Sequence, residues 1–380
     1  MLHRLSLLRW RPTTASRGIS PIVPVCPVLS LRIEYSAYKL GYTLSDLKER
    51  SDGLTARLEL AGSACNAYGN DIKSLTLEVD YESSSRECAL GPTGLTVGLH
   101  VHIYDTAKEQ YQIPENIIPR PASASSDRKP SLRFHHTSSP FAFWITRSSS
   151  GEIIFDTRPE NIPVHKEPLT RYDQPWNDTS LPSYPLVFED QYLQIATALP
   201  SNANIYGLGE VISSSGLRRD PNNTVATLWN SDSAGVPADT DLYGSHPFYV
   251  ESREGQSHGV FLMNSHGMDV VLRERVLEYR ALGGTIDLYF LAGPTPKEVI
   301  QQYGQVIGFP AKMPSWAFGF HLCRWAGEWV DLDRMKAVVE KMREEGIPMD
   351  TMWNDLDYMD RYRDFETNKH FKYVWLPNQS

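Results

Sequence analysis

Gly293-Pro294-Thr295-Pro296-Lys297-Glu298-Val299-Ile300 is the stretch at which the chain changes from one periodicity to another, and its reading decides the fold. Thr295 and Glu298 form a capping box with Pro296 at the first helical position. The threonine hydroxyl and the glutamate carboxylate satisfy amides at the helix start, and proline has no N–H to leave orphaned. The spacing predicts a helix to about Ile307, stopped by Gly308 and Pro310. Beyond it, Trp316 to Arg324 is a compact aromatic and apolar run that suits a buried strand. Asp331 then caps a second helix, with Leu332, Met335, Val338, Val339 and Met342 on one face before Gly346 and Pro348 end it. Another strand is expected over Met349 to Tyr358. Strand, helix and strand in about 40 residues make a βαβ unit, the opening of an α/β domain.

Upstream of Gly293 the period is two. Leu75, Leu77, Val79 and Tyr81 alternate with Thr76, Glu78 and Asp80, and Leu95, Val97, Leu99, Val101 and Ile103 continue the pattern, as half-buried antiparallel strands do. Phe141 to Thr146 and Glu152 to Asp156, joined by Ser148-Ser149-Ser150-Gly151, read as a hairpin. Further strands are expected at Tyr192 to Ala198, His258 to Met263, Met268 to Leu272 and Thr285 to Phe290. Many short strands without intervening helices indicate a β-sandwich. Pro119 to Pro130, rich in Pro, Ser, Ala and charge, reads as an exposed loop.

The 380 residues allow two or three domains. With 37 basic and 46 acidic side chains the formal charge is −9, which repels phosphate backbones, so no nucleic acid is expected as a partner. No apolar run reaches the ~18 to 20 residues of a membrane span, so none is expected. Cys26, Cys65, Cys88 and Cys323 match no paired metal-ligand pattern, so no zinc site is expected. Sequons at Asn177, Asn222 and Asn378 suit a secretory protein. Residues 1–32 carry Arg4, Arg9, Arg11, Arg17 and Arg32 without an acid; Pro21, Pro24 and Pro27 break the apolar part, so this leader is not a clear signal peptide.

Two places carry chemistry. In Trp353-Asn354-Asp355-Leu356-Asp357-Tyr358-Met359-Asp360, two aspartates lie two apart near a strand's C-terminal end, on the same side if the strand stays extended. Carboxylates beside tryptophan there hold sugars, or they cap the next helix and meet solvent; the spacing leaves both readings open. Asp360 and Asp364 read as surface. Trp229-Asn230-Ser231-Asp232 and Leu242-Tyr243-Gly244-Ser245-His246-Pro247-Phe248-Tyr249 form an aromatic, polar stretch suited to a binding loop. His246 has no second ligand at metal spacing and reads as a structural hydrogen-bonder. Ile205 to Glu210 lacks the third glycine of a nucleotide fingerprint, and Cys323, inside an apolar run, reads as a buried inert thiol.

Six segments in order resemble glycoside hydrolase family 31 α-glucosidases of the fungal and lysosomal type. They are Cys65 to Gly69 with Asp71-Ile72, Gln112-Ile113-Pro114, Ile205 to Glu210, Leu242 to Tyr249, Gly319 to Trp325 and Trp353 to Phe365. The resemblance covers roughly residues 31 to 365 and implies an N-terminal β-sandwich (33–293), a linking helix (294–314) and the start of a catalytic (β/α)8 barrel (315–380), incomplete in this chain. It also implies retaining hydrolysis of terminal α-linked glucose from an α-glucoside or maltooligosaccharide, with no metal and no organic cofactor. Asp232 corresponds to a sandwich-loop aspartate that touches the sugar, Asp355 to one that binds sugar hydroxyls in the −1 subsite, and Trp325 and Leu356 to apolar residues lining that pocket. Asp357 is assigned a supporting structural role. In the family the nucleophile and acid/base aspartates lie on later strands, so this chain is expected to contain no catalytic residue and to be inactive alone, as a truncated product or incomplete gene model. A non-catalytic carbohydrate-binding sandwich and an α-xylosidase are the competing readings. The family implies secretion or a lysosome- or vacuole-like compartment.

Overall fold

The computed structural model describes residues 41–82, 98–119, 130–163, 186–325 and 331–371 except positions 65, 67, 215 and 234, and the backbone of two short strands at Thr170–Arg171 and Gln174–Pro175. The leader, Cys26, Cys65, Cys88, Asn177, Asn378, Leu95 to Val97 and most of the Pro119 to Pro130 loop lie outside the described residues. The chain divides into two compact units after Gly308.

The first unit is built on two antiparallel sheets. In the nine-stranded sheet the order is Tyr42–Arg50, Gly53–Leu60, Ser74–Glu82, Gly98–Asp105, Ile286–Leu291, Gln256–Leu262, Phe248–Arg253, Asn204–Gly207 and Arg218–Arg219. The five-stranded sheet runs Leu186–Phe188, Leu193–Ala198, Val276–Ala281, Met268–Arg273, Asn223–Leu228. Alternate side chains of both sheets, among them Leu77, Val101, Leu288 and Phe290 from one and Phe188, Ile195, Val270 and Leu277 from the other, form one continuous buried core. That is the signature of a sandwich. The expected hairpin is present as Phe141–Arg147 paired with Ile153–Asp156 in a three-stranded sheet with Leu132–Ser138, and Gly151 takes φ +74° in the connection.

The Gly98–Asp105 strand is buried on both faces rather than half-buried. Leu99, Val101 and Ile103 face the core, while His100 and His102 on the opposite face are hidden too. Their polar atoms are accommodated by neighbours: His100 Nε2 meets Asp287 Oδ1 at 2.5 Å and His102 Nε2 meets Thr285 Oγ1 at 3.2 Å. The alternation suggested a half-buried strand because the partners that hide the second face, Asp287 and Thr285, lie far along the chain.

Helix α1, Pro296–Ile307, begins as its capping box predicts. Thr295 Oγ1 accepts from the Glu298 amide at 3.3 Å, and Glu298 Oε2 accepts from the Thr295 amide at 3.0 Å. The helix belongs to the first unit and packs on the outer face of the nine-stranded sheet, where Val299 and Val306 are buried with Phe248, Phe261, Met263, Tyr289 and Leu291. Phe248 stacks on Tyr303 of α1 with ring centroids 4.0 Å apart.

The second unit holds two parallel strands, His321–Cys323 and Thr351–Trp353, joined through α2, Leu332–Glu344, whose N-cap Asp331 accepts from the Asp333 and Arg334 amides. The expected βαβ order is present, but its strands are shorter than the sequence suggests. Ser315–Phe318 forms a 3-10 turn instead of strand, and Trp316, Phe318 and Phe320 are exposed instead of buried. The run Met349 to Tyr358 is extended only over three residues before a 3-10 turn at Leu356–Tyr358. A parallel strand is stabilised by neighbours on both edges and helices on both faces, and among the described residues each strand of this pair has one neighbour. Of the apolar face expected on α2, only Met335 is buried.

Candidate functional site

In the second unit the parallel register sets Cys323 against Trp353, so the residues that follow each strand emerge side by side. Trp353, the last residue of its strand, donates Nε1–H to Nδ1 of His321, the first residue of the other, at 3.1 Å, bracing the pair diagonally. Past Trp353 the backbone turns: Asp355 adopts φ +38°, ψ −160°, a conformation costly for any side-chain-bearing residue, and caps the following 3-10 turn. Its Oδ1 accepts from the Leu356 amide at 2.6 Å and its Oδ2 accepts from the Cys323 thiol at 3.1 Å. The carboxylate is thus held from both sides at the mouth of a cleft of about 510 Å³, lined by Thr351, Trp353, Asn354, Asp355, Tyr358, Thr367 and Phe371. Three aromatic rings, a carboxylate and small polar groups converging on one concavity suit a ligand with alternating C–H faces and hydroxyls.

The two aspartates of the motif do not share a face, contrary to the expectation for an extended strand. Asp355 lies in the cleft, whereas Asp357 is buried in the 3-10 turn. Asn368 donates to the carbonyl of Asp357 at 2.6 Å, fixing that turn. Leu356 is half-buried and supplies the amide that orients Asp355; Trp325 is exposed, two residues beyond the first strand. Cys323 is exposed, not buried as its apolar surroundings suggested. The hydrogen bond to Asp355 pushes its thiol pKa up, so it stays protonated and donates. Thr367 and Phe371, beyond the last family-like segment, and Cys323 were missed; the Cys-Arg-Trp end of the first strand was the available signal.

In the first unit the aromatic stretch forms a cross-braced loop. The Ser231 amide donates to the Leu242 carbonyl at 2.7 Å, the Glu210 amide to Gly244 at 2.8 Å and the His246 amide to Gly209 at 2.7 Å. Ser245 Oγ donates to Asp241 Oδ2 at 2.7 Å. Asp232 is exposed on this loop and its Oδ1 accepts the Tyr243 phenol at 2.6 Å, a contact that raises the phenol's pKa. Trp229, also exposed, lies where a Cβ on Gly267 would come within 2.2 Å of its indole, so glycine at 267 is what lets the ring lie flat there. His246 bonds Tyr303 through Nδ1 at 3.2 Å, consistent with its structural reading.

Among the described residues no group of three or more His, Cys, Asp or Glu side chains is placed to hold a metal ion, and no helix is long and apolar enough to cross a membrane.

Residues 100–270 match the glycosyl hydrolase 31 N-terminal galactose mutarotase-like domain, and residues 310–375 match the glycosyl hydrolases family 31 TIM-barrel domain. The chain belongs to glycosyl hydrolase family 31. Among family relatives, an alpha-glucosidase of Candida tsukubaensis is 42% identical over 373 residues, covering 86% of this chain and 33% of that protein. A probable alpha/beta-glucosidase of Aspergillus clavatus is 39% identical over 372 residues, covering 96% of this chain and 36% of that protein. The chain therefore spans about a third of the length of the curated relatives it matches, and it is their N-terminal portion. Among solved structures, the glucosidase II alpha subunit bound to alpha3-Glc2 shares the fold with TM-score 0.64 at 18% identity, over 88% of this chain and 41% of that one. A family 31 dextranase of Flavobacterium johnsoniae gives TM-score 0.55 at 19% identity, over 85% and 35%. The N-terminal sandwich followed by the opening of a family 31 barrel agrees with the fold read from the sequence.

Proposed function

We propose that this chain is the N-terminal part of a retaining α-glucosidase and that it supplies the sugar-positioning half of the active site rather than the reacting carboxylates. The observation that carries this reading is Asp355: a carboxylate braced at the end of a parallel strand and presented in a cleft beside Trp353. A carboxylate so held accepts charge-assisted hydrogen bonds from adjacent sugar hydroxyls, while the indole offers a face to the C–H side of the ring. Trp325 and Leu356 are proposed as apolar sugar contacts, on the family resemblance and not as lining residues of the cleft, and Asp232 is proposed as a sugar-binding residue on its own loop of the first unit. The substrate class is an α-glucoside such as a maltooligosaccharide, the class that the relatives' names support. Retaining hydrolysis needs a nucleophile and an acid/base about 5–5.5 Å apart, and both are assigned to the portion of the relatives that this chain does not span. The 380 residues alone are proposed to be inactive. A secreted or lysosome- or vacuole-like location is part of the proposal, supported by the exposed Asn222 sequon.

The test is to read the complete transcript across both ends of the frame, then assay its product and the 380-residue chain on maltose. Further βα units carrying two barrel aspartates, with maltose hydrolysed at retained configuration by the longer product alone, is the expected result. A message with no such units, or hydrolysis by the 380 residues themselves, would overturn the assignment; maltose binding without turnover by the sandwich would favour a carbohydrate-binding module.

A further inference from the structure

Cys323 is the last residue of its strand, and the parallel register sets it opposite Trp353, within reach of Asp355 two residues further on. Its thiol is exposed, so burial does not explain the contact it makes. A carboxylate offers roughly four lone-pair directions. The Leu356 amide occupies one on Oδ1 and Cys323 one on Oδ2, leaving the rest free for hydroxyls in the cleft. We propose that Cys323 is a positioning residue for Asp355, holding the plane of the carboxylate at the angle from which it accepts two neighbouring hydroxyls of an α-glucoside. This rests on the sugar-binding reading of Asp355 given above. The hydrogen bond on Oδ1 already restrains rotation about the Cβ–Cγ bond, and the second on Oδ2, from the neighbouring strand, narrows it further. The arrangement is mutual: Asp355 raises the pKa of the thiol and so keeps the proton that the bond requires.

Two measurements on the product of the complete transcript separate this role from a merely structural one. The first follows alkylation by iodoacetamide against pH, read at the peptide containing Cys323 so that Cys26, Cys65 and Cys88 do not contribute. In Asp355→Asn the midpoint for Cys323 should fall toward that of an ordinary thiol. The second compares Cys323→Ala with Cys323→Ser on maltose. Removing a weak donor to a charged group should lower kcat/KM about three- to tenfold in the alanine variant, and serine, which keeps a donor, should restore most of it. An alkylation midpoint unmoved by Asp355→Asn would overturn the proposal whatever the enzyme does. A moved midpoint with no loss in Cys323→Ala would also overturn it, leaving a contact without a positioning role. If wild type neither binds nor turns over maltose while the midpoint still moves, it is the α-glucoside reading of Asp355 that fails, and the role built on it fails with it.

Discussion

Gly259 sits in the Gln256–Leu262 strand beneath helix α1, and a side chain there should weaken the docking of that helix by a calculable route. A Cβ at 259 would lie 2.6 Å from Val299 Cγ1, 2.8 Å from Phe248 Cε2 and 3.4 Å from Leu291 Cδ1, where carbon atoms settle at about 3.5–4.0 Å. Val299 is the fully buried anchor of the helix, and Phe248 is stacked on Tyr303 of the same helix. Relief of the overlap therefore has to move α1 or its aromatic contact. Overpacking of this kind costs about 1–3 kcal/mol for Gly259→Ala. Val299→Ala removes two methyl groups, at about 0.8 kcal/mol each, plus a cavity contribution, for about 2 kcal/mol. In the double variant the alanine methyl at 259 occupies part of the space vacated at 299, so the two costs should fall short of adding by about 1 kcal/mol or more. Urea unfolding followed by tryptophan fluorescence, with m unchanged across the four proteins, measures all the terms. Costs that add to within about 0.3–0.5 kcal/mol would refute the claim that glycine is required there by the helix.

The Tyr243 phenol should titrate lower in Asp232→Asn than in wild type, because the carboxylate that accepts its proton at 2.6 Å is what raises its pKa; ultraviolet difference titration with Tyr243→Phe as the blank reads this, and an unmoved midpoint would break the pairing assigned to the loop. Stability should rise with pH through the range below about 6.5, the ordinary histidine value. Burial holds His258 neutral in the folded chain despite Glu251 Oε2 at 3.3 Å, so unfolding takes up a proton there and ΔG increases as that proton is lost from the unfolded state. His135 and His266, also held down by burial, add to the slope, and His258→Gln should flatten it by up to one proton's worth in urea unfolding at stepped pH. An identical slope in the variant would show that His258 is not held neutral.

Local chemistry was readable and tertiary support was not. The capping box at Thr295 specified the helix start because all its atoms lie within four residues. The alternation from Leu75 to Tyr81 specified the Ser74–Glu82 strand because its period is set by the pleat itself. The second unit was legible only in order. An aromatic run such as Trp316 to Arg324 looks like a buried strand whatever stands beside it, and strand length in a parallel sheet depends on neighbours that a linear pattern cannot name. The positive φ falls on Asp355 itself and not on the neighbouring Asn354 or on a glycine, so the separation of Asp355 from Asp357 appeared only in three dimensions. Cys323 was misread for the same reason: its hydrogen-bond partner is 32 residues away. The pairing of Gly98–Asp105 with Ile286–Leu291 left no trace in either segment.

That pairing also sets a clock for biosynthesis. The strands from Tyr42 to Asp105 are adjacent in the sheet and leave the ribosome together, but the partner that covers the open edge of Gly98–Asp105 is not made until Leu291. At about 5–20 residues per second the nascent meander waits on the order of ten to forty seconds with the backbone N–H and C=O groups of that edge unpaired. An edge left open over that interval is a template on which another chain could add a strand, and the arrival of Ile286–Leu291 closes it.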